Sequence, residues 1–335
     1  MKRLFGLIVV LVFGGALVVA PASAYADKWQ RLSGDNAIET AGHIAFEYYS
    51  SNGGAQTGAC VATVDGYWDA LSAAGLAGQK DVPVLFSFKD SLGRTAEALD
   101  ALYAQRVYVM GGPAAISDSV ERTIAGLRPS PRVERIYGDT AAGTAVEIHK
   151  KVKAEGGAWG KTAIVVTVDG FYDALSASPY SYAKKAPMFL SFPGTGLKPE
   201  TIDAIRSGGF TEVLILGGTA AVPSVVERSQ LSGIKCTRIY GDNAIGTSIA
   251  MAKRCLADGM DMSHVGIATS AGYHDGVCAG PLCGKNNSPL LLVRDGDTSA
   301  IDQMIKPHAG SIQKGYIFGG TAAVSAEVEA KLRAA

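Results

Sequence analysis

The sequence predicts an α/β fold, because one unit of roughly 100 residues occurs three times and each copy alternates helices with short apolar strands. An Arg-x-x-Gly-Asp motif opens every copy, and its arginines lie 104 and 103 residues apart: Arg31, Arg135 and Arg238. A period of this length indicates a domain-sized unit rather than a solenoid repeat. Continuous apolar strands between helices predict parallel sheets covered on both faces. We therefore expect three tandem Rossmann-like or flavodoxin-like units, over residues 31–134, 135–237 and 238–335.

Each element of the first copy is predicted from its own pattern. A helix over residues 37–49 places four apolar residues on one face: Ile38, Ala41, Ala45 and Tyr48. Residues 59–64 form a short, mainly apolar run, which predicts a buried strand. A helix over residues 70–77 follows, with Asp69 as its predicted cap. The rest of the copy alternates in the same way, as a strand over residues 83–87, a helix over 96–103, a strand over 107–110 and a helix over 118–127.

Two motifs recur where strands turn into helices. The first two copies place two aromatic residues between two aspartates, as Asp65, Tyr67, Trp68, Asp69 and as Asp169, Phe171, Tyr172, Asp173. The third copy departs from this pattern, with Ala271, Tyr273, His274 and Asp275. A pair of glycines follows a later strand in every copy: Gly111-Gly112, Gly217-Gly218 and Gly319-Gly320. These pairs indicate tight strand-to-helix turns, with a phosphate cradle of backbone N–H groups as the alternative. No nucleotide is predicted, because the third glycine of a dinucleotide loop and the lysine of a P-loop are missing.

Ligands of parallel sheets bind beyond the carboxyl ends of the strands, where both motifs are expected. The second aspartate of each copy is predicted to cap a helix: Asp69, Asp173 and Asp275. The arginines that open the copies can form structural ion pairs or bind an anionic glycan: Arg31, Arg135 and Arg238. The aspartates Asp65 and Asp169 belong to the same candidate site. Aromatic side chains of the loop can stack on sugar rings: Tyr67, Trp68, Phe171, Tyr172 and Tyr273.

The sequence gives little support for an enzyme. No two of the five histidines occupy equivalent positions in the copies. No nucleophile-elbow, zinc-protease or paired-glutamate motif occurs. We therefore predict no catalytic residue, no metal and no cofactor.

The N-terminus predicts a secretory signal peptide. Lys2 and Arg3 precede an apolar run over residues 4–20, and Pro21-Ala22-Ser23-Ala24 supplies the small residues of a cleavage site. Cleavage is expected after Ala24, with Ala26 as the alternative. A secreted protein without a second apolar segment is expected to have no stable membrane anchor after cleavage. Removing Lys2 and Arg3 leaves 29 basic and 31 acidic residues. A nearly neutral protein of this kind offers no general attraction for nucleic acid.

The five cysteines form an odd number for an exported protein. Cys60 lies in an apolar strand and is expected to be a small buried residue. The other four fall in the last third of the chain, so Cys236–Cys255 and Cys278–Cys283 are plausible disulfides, although four cysteines allow three pairings.

The ordered set of motifs resembles the cell-wall-binding repeat type 2 family of Gram-positive bacteria. The matching residues are the Arg-x-x-Gly-Asp…Thr opening, the Asp-Gly-x-x-Asp-Ala-Leu loop, a Pro-x-Leu-Leu-like strand and the Gly-Gly-Thr-Ala-Ala-Val-Ser turn, over residues 31–335. The resemblance implies a compact pseudo-threefold assembly that holds surface-layer (S-layer) proteins, adhesins and wall hydrolases on anionic secondary wall polymers without a covalent bond. It also implies an anchoring role for the apolar strand segments around Leu85, Leu190 and Leu291.

These expectations combine into a secreted cell-surface protein that binds wall polysaccharide, either as an anchor alone or as a component of the wall coat. The polymer can be an anionic secondary polysaccharide or peptidoglycan. Two alternatives remain: a secreted amidase-type peptidoglycan hydrolase or its accessory module, and a two-lobed small-molecule receptor. The third copy's departure at Ala271 makes three identical ligand sites less expected.

Overall fold

A computed structural model describes residues 28–50 and 57–335, together with two paired two-residue strands, β1 (Val12–Phe13) and β2 (Ala16–Leu17). The predicted cleavage sites after Ala24 and Ala26 lie outside the described residues. In the part of the chain that is described, none of the helices has the length and apolar character needed to cross a membrane.

Three parallel sheets of four strands form the frame, and all three have the same strand order. The first sheet contains, in spatial order, β5 (Val84–Ser87), β4 (Gly58–Thr63), β6 (Arg106–Met110) and β7 (Arg132–Ile136). The second contains β9 (Met188–Ser191), β8 (Thr162–Thr167), β10 (Glu212–Leu216) and β11 (Lys235–Ile239). The third contains β13 (Leu290–Val293), β12 (Gly266–Thr269), β14 (Gly315–Phe318) and β3 (Trp29–Leu32).

The fourth strand of every sheet comes from a different copy of the sequence repeat. In the first sheet Arg135 pairs with Val109, so the first strand of copy two completes the sheet of copy one. Arg238 likewise pairs with Ile215 in the second sheet. The third sheet is completed by the N-terminal strand, where Arg31 pairs with Ile317. The sheets are therefore out of phase with the sequence copies, and the chain closes into a ring.

Helices of three equivalent sets surround the sheets. The first set follows the exchanged strands: α1 (Ala37–Ser50), α5 (Ala141–Ala154) and α8 (Ala244–Ala257). The second set follows the central strands: α2 (Trp68–Lys80), α6 (Tyr172–Ala183) and α9 (His274–Lys285). The outer helices are α3 (Thr95–Ala101), α4 (Asp118–Ala125), α7 (Pro199–Ser207), α10 (Lys306–His308) and α11 (Ala326–Arg333), with π-helical turns over Val226–Gln230 and Ile301–Ile305.

The central helices α2, α6 and α9 contact one another around a pseudo-threefold axis. Small residues make this close contact possible. A Cβ atom at Gly78 of α2 would overlap the backbone of Tyr182, and one at Gly280 of α9 would overlap the side chain of Ser178. The predicted α/β fold with three parallel-sheet units in a pseudo-threefold arrangement is confirmed.

Both predicted disulfides are wrong, since all five cysteines are free thiols. Cys278 and Cys283 lie five residues apart in one helix, α9, which separates them by about 7.5 Å along the axis and turns them to different faces. Cys255 is fully buried in α8, whereas Cys236 lies half-buried on β11. Burial raises the pKa of the Cys255 thiol to about 12, which makes it a poor nucleophile.

We expect Gly78→Ala to lower the free energy of unfolding by about 2–3 kcal/mol, because the added methyl group forces α2 and α6 apart. Gly310→Ala is the matched control, since no atom lies within 4 Å of its Cβ position. Urea denaturation followed by circular dichroism measures both variants. Equal midpoints for the two variants would show that the central helices tolerate separation.

We expect all five cysteines to be alkylated by iodoacetamide in denaturant without prior reduction. Mass spectrometry of the intact protein measures the number of added groups. Only Cys236 is expected to react quickly in the native protein, because the other four are buried. If the protein takes up one group in denaturant and five only after reduction, the two predicted disulfides are present.

Candidate functional site

Three aromatic rings meet at the centre of the face formed by the carboxyl ends of the strands. Tyr67, Phe171 and Tyr273 each lie directly before one of the central helices. The centroid of Tyr67 is 5.6 Å from that of Phe171 and 5.5 Å from that of Tyr273, and the remaining pair is 5.5 Å apart. Because the three loops are equivalent, the rings form a nearly equilateral triangle around the pseudo-threefold axis. The sequence identified these three residues as candidate site residues, but it did not predict that their rings contact one another.

Hydrogen bonds from this aromatic triangle join neighbouring units. The Tyr67 hydroxyl donates to the carbonyl oxygen of Val168 at 3.1 Å, and Nε1 of Trp68 donates to the same oxygen at 2.7 Å. The Tyr273 hydroxyl donates to the carbonyl oxygen of Val64 at 2.6 Å. The first unit is therefore bonded to the second, and the third unit to the first.

The junction between the second and third units lacks these bonds. Phe171 has no hydroxyl group to donate. Ser270 is the counterpart of Val64 and Val168, and among the described residues no aromatic side chain donates to its carbonyl oxygen. The side chain of Tyr172 is 46% exposed and makes no hydrogen bond within the described ranges. One of the three junctions is thus open.

Two exposed carboxylates flank the aromatic triangle. Asp65 and Asp169 occupy equivalent positions, and Ala271 is their counterpart in the third copy. Burial raises the pKa of Tyr67, and the charge of Asp169 raises it further. Burial and the charge of Asp65 do the same for Tyr273. The phenols therefore remain donors, while the two carboxylates can accept hydrogen bonds from sugar hydroxyls.

The prediction that Asp69, Asp173 and Asp275 cap the central helices is wrong. Each lies within the first turn of its helix, and no side chain caps the helix. The three carboxyl groups are instead largely buried, and burial raises the pKa of each. The side chains of Thr144 and Thr247, in the following copies, lower the pKa of Asp69 and Asp173 and so partly offset the effect of burial. The aspartates therefore connect successive copies.

The first glycine of each Gly-Gly turn is required by this arrangement. Gly111, Gly217 and Gly319 have φ of 98°, 100° and 93°, which L side chains rarely adopt. A Cβ atom at any of them would also overlap the carboxylate of the neighbouring aspartate. The second glycines differ from one another. An aromatic ring contacts the Cβ position of Gly112, whereas the Cβ positions of Gly218 and Gly320 are open.

The arginines that open the copies lock the exchanged strands in place. Nε of Arg135 donates to Glu121 at 2.7 Å, and Nη1 donates to the carbonyl oxygen of Gly111 at 2.9 Å. Equivalent contacts join Arg238 to Glu227 and Gly217, and Arg31 to Glu329 and Gly319. The three side chains are only 10–16% exposed. Of the two roles that the sequence left open, the structure gives these arginines the ion pair between units.

The apolar strand residues cannot contact a polymer in this structure. Leu85, Leu190 and Leu291 are 0–1% exposed, in β5, β9 and β13. Helices α1, α5 and α8 cover these strands. The prediction of ligand contact for these three leucines is therefore wrong, and they belong to the hydrophobic core.

A cleft of about 380 Å³ lies at the open junction. Its walls come from the second and third units and include Tyr172, Asp173, Asn243, Thr247, Ser270 and Arg294. The sequence motifs did not mark Asn243, Ser270 or Arg294 as site residues. The signal available was the divergence of the third copy, where Ser270 and Arg294 replace apolar residues of the other copies.

The groups on this face can form hydrogen bonds and stack on rings. Over residues 28–50 and 57–335, His, Cys, Asp and Glu side chains form no cluster of three that can hold a metal ion. The aromatic triangle and the adjacent cleft resemble carbohydrate sites, in which rings and a few polar groups recognise a sugar.

Comparison with known families identifies the repeat. The sequence model of cell wall binding domain 2 (CWB2) matches residues 31–121, 135–227 and 238–329. The chain belongs to the CWB2 family. This membership assigns the protein to the bacterial cell wall and cell surface. Each CWB2 match begins at one of the three arginines described above.

Two curated relatives come from Bacillus subtilis (strain 168). The N-acetylmuramoyl-L-alanine amidase LytC is 27% identical over 329 residues, which cover 97% of this chain and 62% of LytC. The protein named "Amidase enhancer" is 28% identical over 269 residues, which cover 80% of this chain and 35% of the enhancer. The chain thus spans less than two thirds of either relative.

Two solved structures share the fold. Cwp6 from Clostridium difficile superimposes with a TM-score of 0.76 at 21% identity, over 94% of this chain and 49% of Cwp6. Cwp8 from the same organism gives 0.75 at 24% identity, over 91% of this chain and 51% of Cwp8.

We expect Arg135→Met to lower the free energy of unfolding by about 2–4 kcal/mol, because Glu121 and two backbone carbonyls lose a buried charged partner. Arg122→Met is the control. Arg122 is exposed on α4 and bonds only to a carbonyl of its own helix, so a change below about 0.5 kcal/mol is expected. Urea denaturation compares the two. If Arg135→Met unfolds at the wild-type midpoint, the arginines do not hold the ring together.

Proposed function

We propose that the three CWB2 repeats anchor the protein on the cell wall by non-covalent binding of an anionic secondary polysaccharide. In this proposal the repeats act as an anchor or as a component of the surface coat, and they do not hydrolyse the wall. Membership of the CWB2 family over most of the chain supports wall binding. The nature of the polymer is inferred from the chemistry of the exposed face.

The observation that carries the proposal is the aromatic triangle at the centre of one face. The exposed rings of Trp68 and Tyr172 extend it outward. Aromatic faces bind sugar rings by apolar contact, and neighbouring polar groups fix the orientation. Asp65 and Asp169 lie where they can accept bonds from sugar hydroxyls.

Charge also limits how the polymer can bind. The secreted chain is expected to carry two more acidic than basic residues, so no general field draws an anionic polymer toward it. The two carboxylates at the centre repel anionic groups. Neutral sugars therefore suit the aromatic triangle, and the charged groups of the polymer must bind beside it.

We expect the purified protein to sediment with Gram-positive cell walls and to lose this binding after hydrofluoric acid has removed the phosphodiester-linked polymers. Tyr172→Ala should weaken binding about tenfold, because a stacked ring contributes about 1–1.5 kcal/mol. Phe46→Ala is the control, since Phe46 is exposed to a similar degree on α1. Equal binding to both wall samples would move the ligand to peptidoglycan, and failure to bind either would refute the anchor.

A second candidate function is that of an accessory module for an amidase, because one relative is named an amidase and another an amidase enhancer. The same wall preparation distinguishes the two functions. An amidase assayed with and without this protein should release wall fragments at the same rate if the repeats only anchor. A rate that rises with the added protein would support the accessory function.

A further inference from the structure

We infer that the cleft between the second and third repeats binds an anionic group of the wall glycan, a phosphate or a carboxylate, through Arg294. This inference rests on the proposed wall binding. It assigns the recognition of charge to the open junction, beside the aromatic triangle that suits neutral sugars.

Arg294 differs from its counterparts in the other two units. It directly follows β13, at the position where Phe88 follows β5 and Phe192 follows β9. The Arg294 side chain is exposed and lines the cleft. Across the described residues it forms no salt bridge, unlike the three buried arginines of the ring. Its guanidinium group is therefore available to an external anion.

Two acidic residues lie near this cation, Asp297 and Asp173, but neither forms a salt bridge with it within the described residues. Hydrogen bonds from Ser299 at 2.7 Å and from Asn243 at 3.3 Å lower the pKa of the Asp297 carboxyl group, and the charge of Arg294 lowers it further. Asp173 also lines the cleft, but burial raises the pKa of its carboxyl group and so favours the neutral form relative to an exposed aspartate. Arg294 is therefore the basic side chain that lines the cleft, and it has no salt-bridge partner among the described residues.

The junction between the second and third units is open at a position where an aromatic ring covers the junction between the first and second units. The ring of Tyr137 lies 3.0 Å from the Cβ position of Gly112. At the second junction no atom lies within 4 Å of the equivalent position, Gly218, and the counterpart ring of Tyr240 is 59% exposed. A ligand can therefore reach the floor of this cleft.

Polar groups around the opening match an oxyanion. Tyr172 contributes a hydroxyl that makes no hydrogen bond within the described part of the chain, and Ser270 contributes a second hydroxyl. The first turn of the 14-residue helix α8 borders the cleft, and its field has the same sign as the arginine. The volume of about 380 Å³ lies within the usual range for small ligands, roughly 300–1,000 Å³. Arginine binds phosphate and carboxylate with paired hydrogen bonds.

Arg294→Phe tests the inference, because it gives the third unit the residue that the other two already have. The dissociation constant for untreated Gram-positive walls should rise at least tenfold, while Arg294→Lys should keep part of the affinity because it keeps the charge. Arg228→Gln removes one exposed positive charge elsewhere and should leave binding unchanged. Thermal denaturation checks that each variant is folded.

Competition identifies the anionic group. Poly(glycerol phosphate) should displace the wild-type protein from walls if the group is a phosphate, and polyglucuronate should displace it if the group is a carboxylate. Wall binding by Arg294→Phe at the wild-type level would refute the anion site in the cleft but not the proposed wall anchoring. Wild-type protein that binds neither walls nor either polyanion in calorimetry would overturn both.

Discussion

The exchange of one strand between neighbouring repeats is the constraint on which the rest of the structure depends. Each sheet has only three strands from its own copy, and the fourth strand belongs to the next copy. A strand removed from the sheet would leave unpaired backbone groups, which are costly when buried. The buried arginine on that strand adds an ion pair and carbonyl contacts, as Arg135 does with Glu121 and Gly111. The N-terminal strand β3 pairs with β14 of the third sheet in the same way and closes the ring.

Ring closure brings the functional face into existence. Because the strands within each of the three four-stranded sheets are parallel and the units are equivalent, their carboxyl ends point to one face around the axis. The central helices can approach the axis only because they carry small residues such as Gly78 and Gly280. The residues at the start of these helices then meet as the aromatic triangle. The face is therefore a product of the whole ring rather than of any single repeat.

The copies are most alike at the positions that hold the ring together and least alike on the exposed face of the junctions. The glycines with positive φ, the buried aspartates and the arginines all occur three times. On the exposed face, by contrast, the three positions equivalent to Asp65 hold two aspartates and an alanine, and those equivalent to Arg294 hold two phenylalanines and an arginine. Structural equivalence has thus been kept while the surface chemistry of the junctions has diverged.

The sequence alone determined the number of repeats, the α/β class, the parallel sheets and the family resemblance, because period and hydrophobic pattern are local properties. It also named the aromatic residues of the site. Pairing across distant segments lies beyond such patterns, and only the tertiary structure decided it. The sequence could not reveal that the strand of Arg31 completes the third sheet, or that Asp69 interacts with Thr144 of the next copy instead of capping its own helix. Nor could it reveal that Cys278 and Cys283 lie on different faces of one helix. Each of these depends on which elements meet in space, and that is fixed only when the ring closes.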